Sequence, residues 1–312
     1  MLDGNQKRKS PAFSNIRPIL IQFWYALVPL LVLLAAIVLS CLLAYCLMLV
    51  WGDELSFRTI IKKATQIFLV LSIFPAMHYL KLNRFDLGFS RRPQFIMQIR
   101  QGFGLGFATL LPVFIVLYLL NVNVIDAAQP WTTAWVSKKL VIELLLALLI
   151  SFLEEPLFRG LMITSLAKKM SANSAILISA FYYAALHFLD SKTQIPAQDL
   201  KLFSGFQLFA EALLHLLNPE ILSAFIALFT VGVFLGLLRT HIKASLGLCI
   251  GCHAAWVWMI KLSKTFFNTN PNSDYLFLIS SYDGVIGPLV TSWLAIAILG
   301  FAWYRRNKGG RL

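Results

Sequence analysis

The stretch YALVPLLVLLAAIVLSCLLAYCLMLVW (Tyr25–Trp51) contains no charged side chain. A helix needs about 20 mostly apolar residues to cross the hydrocarbon core of a bilayer, and this stretch is longer than that. Such a run favours a membrane-spanning helix over the core helix of a soluble protein. The same pattern recurs along the chain, so this stretch sets the fold class.

The chain of 312 residues is 59% hydrophobic and only 13% charged, whereas soluble domains carry about 25% charged residues. We identify eight candidate spans, at residues 25–51, 62–82, 102–121, 139–163, 172–190, 221–238, 244–263 and 284–304. The sequence therefore predicts an all-α, polytopic membrane helix bundle of about eight transmembrane helices. The polar segment 191–220 is expected to form a surface or interfacial helix.

The basic residues indicate the orientation of these spans. When the N-terminus is placed in the cytoplasm, most lysines and arginines fall on the cytoplasmic side, as the positive-inside rule requires. We therefore expect both termini in the cytoplasm, with basic tails at 1–24 and 305–312 around one transmembrane domain at 25–304. The net charge of +13 is then a topology signal, so we expect lipid and not nucleic acid as a partner.

The fourth span contains SFLEEPLFRG (Ser151–Gly160), with ionisable residues that are costly at membrane depth. Glu155 and Arg159 have the i, i+4 spacing of an ion pair on one helix face. Glu154 is rotated from Glu155 by about 100°, so Arg159 cannot easily neutralise both carboxylates. The cluster predicts one structural carboxylate and one that is free for chemistry. A purely structural charge cluster and a proton relay in a transporter remain alternatives.

Two histidines are predicted to lie near these acids. Glu154 and His187 are equidistant from a turn near Met170–Ser171, so two antiparallel helices would bring them to the same depth. His253 lies about 15 Å into the seventh span at 1.5 Å per residue. A glutamate and two histidines can activate water and stabilise an oxyanion, and can also bind zinc with one open position. We place this catalytic core at about 139–263.

His253 also belongs to a C-x-x-C-H pattern with Cys249 and Cys252, the spacing of a c-type haem attachment site. Both cysteines lie inside an apolar span, where cysteine usually packs as a small hydrophobic residue. We therefore expect the cysteines to be packing residues and expect no haem.

Three motifs in this order resemble those of the CPBP (CAAX protease and bacteriocin-processing, also ABI) family, which includes the type II CAAX prenyl endopeptidase. They are E-E-x-x-x-R at Glu154–Arg159, an aromatic-x-x-x-H at Tyr183–His187 and H-x-x-x-V at His253–Val257. The resemblance implies a metal-independent, glutamate-type intramembrane endopeptidase without a cofactor. In it, Glu154 with His187 would activate water, and His253 with the residue four positions later would hold the oxyanion. A zinc metalloprotease is the second choice.

The chain departs from the family at two supporting positions. Val257 stands where the family has asparagine or aspartate, and valine cannot donate a hydrogen bond; Tyr183 stands where the family has phenylalanine. The alternative function is therefore a non-catalytic scaffold or transporter that keeps the fold. For the enzyme we expect a membrane-associated protein or peptide as substrate. We expect a multi-pass location in the cell membrane, which the compact size and simple ends suggest is a bacterial cytoplasmic membrane.

Overall fold

A computed structural model describes residues 16–52 and 56–308, and in this part of the chain nearly all regular structure is helical. A π-helix, Pro156–Met162, joins α5 to α6, and short 3-10 turns lie at Ala197–Asp199, Pro219–Ile221 and Leu276–Leu278. The α-helices are α1 Ile16–Trp51, α2 Phe57–Leu71, α3 Ile73–Tyr79, α4 Arg92–Leu119, α5 Thr133–Glu155, α6 Ile163–Ala167, α7 Ala172–Phe188, α8 Ser204–His215, α9 Leu222–His241, α10 Leu246–Phe266 and α11 Pro288–Lys308.

The helices make this a multi-pass membrane bundle, as predicted. In the described residues, five helices are long and apolar enough to cross a membrane: Leu20–Trp51, Phe57–Tyr79, Arg92–Leu119, Pro219–His241 and Leu246–Phe266. Large apolar side chains such as Val50 and Leu119 point outward, being 72% and 74% exposed, as expected for side chains in contact with lipid.

The predicted count of eight spans stays a prediction. A helix covers each of the three remaining predicted spans, but none of the three combines the length, the hydropathy and the low charge of the five helices above. α7 has only 17 residues, the apolar part of α11 is short, and α5 carries charges near both ends.

Several helix bounds differ from the hydropathy pattern. α4 begins at Arg92 and not at residue 102, because its backbone hydrogen bonds continue through polar residues that hydropathy excludes. Pro93 suits the first turn of this helix, where its missing N–H costs nothing. α8 occupies part of the polar segment 191–220, where a surface helix was predicted.

The predicted basic tails fall partly outside the described residues. α1 already begins at Ile16, within the predicted tail 1–24, and α11 continues to Lys308, within the predicted tail 305–312. The basic residues Lys7, Arg8, Lys9 and Arg311 lie outside the described residues. Their cytoplasmic location remains a prediction.

Two short strands lie between predicted spans and form one antiparallel pair. β1 (Asn123–Ile125) pairs antiparallel with β2 (Phe267–Thr269), with Val124 opposite Asn268. Strands of three residues are too short to show the alternation that predicts a strand from sequence. The pair ties the end of α4 to the end of α10.

α10 is the central helix of the bundle. The most apolar window of α10 is 72% buried, against 50% or less in the other four candidate spans. Its most extensive packing is against α4. At this interface, a Cβ atom at Gly102 of α4 would overlap the carbonyl oxygen of Leu248, and one at Gly251 of α10 would overlap that of Ile99.

Glycines at four-residue spacing explain this close approach. Gly102 and Gly106 on α4 lie against the backbone of α10, and Gly247 and Gly251 on α10 lie against the backbone of α4. This is the small-xxx-small arrangement that lets membrane helices pack backbone to backbone. Cys249 and Cys252 lie in the same stretch as free thiols, and both are 0% exposed. The prediction that these cysteines serve packing is confirmed.

The hairpin from the π-helix to α7 aligns the predicted site residues. Ser171 caps α7 by accepting a hydrogen bond from the Ser174 N–H at 3.1 Å. Deeper in the hairpin, the Ser179 hydroxyl donates to the carbonyl of Phe158 at 3.0 Å. The turn therefore lies where the sequence placed it, and the two arms run antiparallel beside α10.

Candidate active site

The ion pair expected from helix spacing is present and fully buried. Arg159 Nη1 lies 3.0 Å from Glu155 Oε1, and both side chains are 0% exposed. The helix changes from α to π at Pro156, between the two partners. π-segments inside α-helices occur frequently at functional sites. Pro156 has no N–H to donate to the carbonyl of Phe152, and the helix widens into the π-segment at this position.

Glu155, at the end of α5, also forms a hydrogen bond with His253 of α10. His253 Nδ1 lies 2.8 Å from the same Glu155 Oε1 that receives Arg159. A carboxylate paired with a guanidinium only accepts hydrogen bonds, so we assign the imidazole proton to Nδ1. In the neutral imidazole, Nε2 then carries a lone pair. It points into the site, 3.9 Å from Glu154 Oε2 and 3.4 Å from the Tyr183 hydroxyl.

Glu154 is the more accessible of the two adjacent carboxylates. Its side chain is 26% exposed, whereas that of Glu155 is 0% exposed. Glu154 Oε2 is buried and has no hydrogen-bond partner among the described residues. Glu155 Oε1 is thus paired with a guanidinium and an imidazole, although its Oε2 has no partner among the described residues. Glu154 has no cationic partner on its helix and faces the cavities, the division that the spacing of the two acids predicted.

His187 reaches the same place from α7. Its Nδ1 donates to the Tyr183 carbonyl, one turn earlier, at 2.7 Å. With the proton on Nδ1, its Nε2 is an acceptor that is free to orient a water molecule. His187 and Glu154 both line the two cavities described below, so the hairpin does bring them to one site.

The ring of Tyr183 packs against three other residues of the site: Arg159, His187 and His253. The guanidinium of Arg159 lies over it, 4.3 Å from the ring centroid. The rings of His187 and His253 pack edge-on against it, with centroid distances of 4.5 and 6.0 Å. Tyr183 is only 2% exposed, so its ring is held in the interior against both histidines and its hydroxyl lies beside His253.

Two cavities meet at Glu154 and His187. The large cavity, of about 920 Å³, is mainly apolar and is lined by α1, α2, α5 and α8. The small cavity, of about 310 Å³, also contacts Tyr183, His253 and Val257. Val257 therefore does face the site, and it brings an apolar side chain to it.

Cations lie along the large cavity. Arg58, Lys62, Lys63 and Lys261 line it. Lys62 is bonded to Asp190 at 3.0 Å and Lys261 to Glu143 at 2.9 Å. Asp190, three residues after His187, is thus tied to α2.

The geometry does not assemble a metal-ligand set from the described side chains. Among residues 16–52 and 56–308, no group of three or more His, Cys, Asp or Glu side chains converges as metal ligands would. Glu155 is occupied by Arg159 and by His253 Nδ1. Zinc binding therefore remains a hypothesis for experiment.

Residues 136–259 match the family model described as type II CAAX prenyl endopeptidase Rce1-like. This stretch of the chain is therefore similar to a domain of that family. The match covers less than half of the chain, but all seven residues predicted for the site lie inside it. The family domain indicates a CAAX-type intramembrane protease. Neither the curated proteins nor the solved structures gave a significant match.

Two features of the site were not predicted from the sequence: the π-helix and the hydrogen bond between Glu155 and His253. The π-helix has no signature in residue spacing beyond Pro156, which any kinked helix would share. The bond between Glu155 and His253 joins residues 98 positions apart, so no periodicity within one helix could reveal it. Both features decide which carboxylate is free.

Proposed function

We propose that this protein is a glutamate-type intramembrane endopeptidase, with Glu154 as the base that activates water. The observation that carries the proposal is the division between the two adjacent carboxylates. Glu155 is fully buried and its Oε1 is paired with a guanidinium and an imidazole, whereas Glu154 faces two cavities with a side chain that is 26% exposed.

The chemistry needs one proton shuttle and no redox step. Glu154 accepts a proton from water while the oxygen of that water attacks the peptide carbonyl carbon. The tetrahedral intermediate carries its negative charge on the former carbonyl oxygen. Glu154 then gives the proton to the amide nitrogen as the C–N bond breaks. His187 Nε2, an acceptor while its Nδ1 donates to the Tyr183 carbonyl, orients the attacking water.

The cavities favour a substrate associated with the membrane. The large cavity is mainly apolar and belongs to a bundle whose outer surface is apolar as well. For a peptide with an apolar or lipid-bearing segment, the free energy of transfer from the bilayer to this cavity would be small, because both environments are apolar. Lys62 and Lys261 are neutralised by Asp190 and Glu143, so Arg58 and Lys63 are the cations along the cavity that would attract an acidic or carboxylate group on the same substrate.

The second candidate function is a non-catalytic membrane protein, either a scaffold or a transporter. The observation in its favour is Val257, an apolar side chain that lines the small cavity at the oxyanion position. The two functions differ in one respect that can be measured, because only the protease requires Glu154 to change the peptides in the membrane.

The test compares membranes of bacterial cells that express the wild type or Glu154→Gln, using mass spectrometry of membrane peptides. We expect peptides with newly formed ends in the wild type and none of these in the variant. Glutamine keeps the size of the side chain and cannot accept the proton of water. His187→Ala should have the same effect while the protein still accumulates.

A matched control is Glu220→Gln, since Glu220 lies in an exposed turn and contacts Asn218. It should leave the peptide pattern unchanged. Identical patterns for the wild type and Glu154→Gln would refute the protease and favour the scaffold or transporter.

A further inference from the structure

The proposed hydrolysis requires a hydrogen-bond donor for the oxyanion, and Val257 does not supply one. It lines the small cavity together with Glu154, Tyr183 and His253, but a valine side chain has no polar hydrogen. Removal of a single oxyanion donor costs about 10²–10³ in kcat in enzymes that use one. An active enzyme must therefore find its donor elsewhere on the wall of this cavity.

Tyr282 also lines this cavity, but it is 38% exposed, whereas the other donors on this wall are already engaged within the protein. The indole N–H of Trp256 donates to α4 at 2.9 and 3.1 Å. The Nδ1–H of His187 donates to the carbonyl of Tyr183, and Lys261 is paired with Glu143 at 2.9 Å. The Tyr183 hydroxyl differs from these groups, because among residues 16–52 and 56–308 its one hydrogen-bond contact is the long approach of 3.4 Å to His253 Nε2.

We propose that Tyr183 is a catalytic residue whose hydroxyl donates a hydrogen bond to the oxyanion and takes the place of the donor that Val257 lacks. The proposal rests on the proposed endopeptidase function. The Tyr183 hydroxyl lies 3.4 Å from His253 Nε2, so when Nε2 carries a proton both groups can lie about 2.8 Å from a common point, the distance at which oxyanion donors act. Glu154 is close to this pair, since its Oε2 is 3.9 Å from the same His253 nitrogen.

The position of Arg159 strengthens the donor. Its guanidinium lies 4.3 Å from the centroid of the Tyr183 ring, where a cation draws electron density from the ring. The phenolic O–H is thereby more polarised than it would be without the cation. Arg159 therefore has two contacts in the site. It pairs with the carboxylate of Glu155, and it polarises the Tyr183 hydroxyl through the tyrosine ring.

The role of Tyr183 holds for either protonation state of His253. When the imidazole is neutral, its proton is on Nδ1 towards Glu155, and the Tyr183 hydroxyl turns from Nε2 to the oxyanion. When the imidazole is cationic, the Nε2–H donates to the tyrosine oxygen or to the oxyanion, and the phenolic proton is free for the oxyanion. Phenylalanine at this position supports neither arrangement.

The experiment measures kcat and KM of the full-length protein in liposomes, with a quenched fluorescent peptide built on the cleavage sequence found in the Glu154→Gln comparison. We expect Tyr183→Phe to lower kcat by about 10²–10³ with KM within threefold of wild type. We expect Val257→Asn to restore kcat at least tenfold in the Tyr183→Phe background. Val257→Leu in that background should restore nothing.

Two tyrosines provide matched controls. Tyr182 is adjacent in sequence, but its hydroxyl donates to the carbonyl of Ala26 at 2.8 Å. Tyr282 lines the same small cavity, but its ring packs against Phe188. Tyr182→Phe and Tyr282→Phe should keep kcat within threefold of wild type. Thermal unfolding of each variant shows whether Tyr183→Phe retains the fold.

The outcomes separate this inference from the function on which it rests. A Tyr183→Phe protein with wild-type kcat, beside an inactive Glu154→Gln protein, would overturn the role of Tyr183 and leave the protease standing. Cleavage that persists in Glu154→Gln would overturn the proposed function itself. A folded Tyr183→Phe protein that is slow but not rescued by Val257→Asn would also count against an oxyanion role.

Discussion

Arg159 is the residue whose loss should most destabilise the fold, and Arg159→Met is the test. The substitution keeps an unbranched, apolar side chain of similar length and removes the charge. Glu155 then remains as a carboxylate with a side chain that is 0% exposed, and its 3.0 Å partner is gone. Breaking a buried ion pair from one side costs about 3–5 kcal/mol in proteins.

A second contribution comes from the ring beneath the guanidinium. Arg159 lies 4.3 Å from the centroid of Tyr183, and a desolvated cation–π contact contributes about 2 kcal/mol. These terms share one side chain and are not independent, so we expect a total loss of about 3–5 kcal/mol. Arg159→Lys keeps the charge and loses the planar stacking, so its loss should be smaller.

The assay is unfolding by SDS in mixed micelles, followed by tryptophan fluorescence, with the free energy extrapolated to zero SDS. Glu155→Gln combined with Arg159→Met should recover most of the loss, because no buried charge remains and the glutamine oxygen still accepts from His253 Nδ1. The control is Arg84→Met, since Arg84 is exposed beside Phe85 and surface changes stay within about 0.5 kcal/mol.

Two results would refute this reasoning. An Arg159→Met protein within about 1 kcal/mol of wild type would mean that Glu155 is not an uncompensated buried charge. A double variant as unstable as the single one would mean that packing, and not charge, sets the cost.

The remaining predictions concern packing and metal dependence. Gly251→Ala should destabilise the protein by about 1–3 kcal/mol in the same assay, because its Cβ would overlap the carbonyl of Ile99. Gly104→Ala meets nothing within 4 Å and should stabilise by up to about 1 kcal/mol; equal effects at both positions would contradict the tight interface. Cys249→Ala with Cys252→Ala should retain cleavage within threefold, and loss of cleavage in a folded double variant would reopen a chemical role for the thiols. Cleavage should survive dialysis against a strong chelator, whereas loss that zinc restores would favour the metalloprotease.

The local pairing in the site was open to prediction from sequence. Glu155 and Arg159 lie on one helix, so their spacing of four residues is enough to predict their contact, and the buried pair at 3.0 Å confirms it. The hairpin between the π-helix and α7 is nearly as local, because equal distances from one turn give equal depths in antiparallel helices. Apolar run length likewise predicts a membrane bundle, because the bilayer sets the length of a spanning helix.

The contacts between distant helices were not open to prediction in this way. Glu155 and His253 meet because α10 lies at the centre of the bundle, and that position follows from glycines on two helices whose backbones come together. The Tyr183 hydroxyl lies beside His253 for the same reason. The sequence by itself therefore determined the membrane class and the charged pair, and it supplied the prediction of which residues form the site. Only the tertiary structure decided which hydrogen bonds each residue makes, because spacing along one helix contains no information on the rotation and depth of its neighbours.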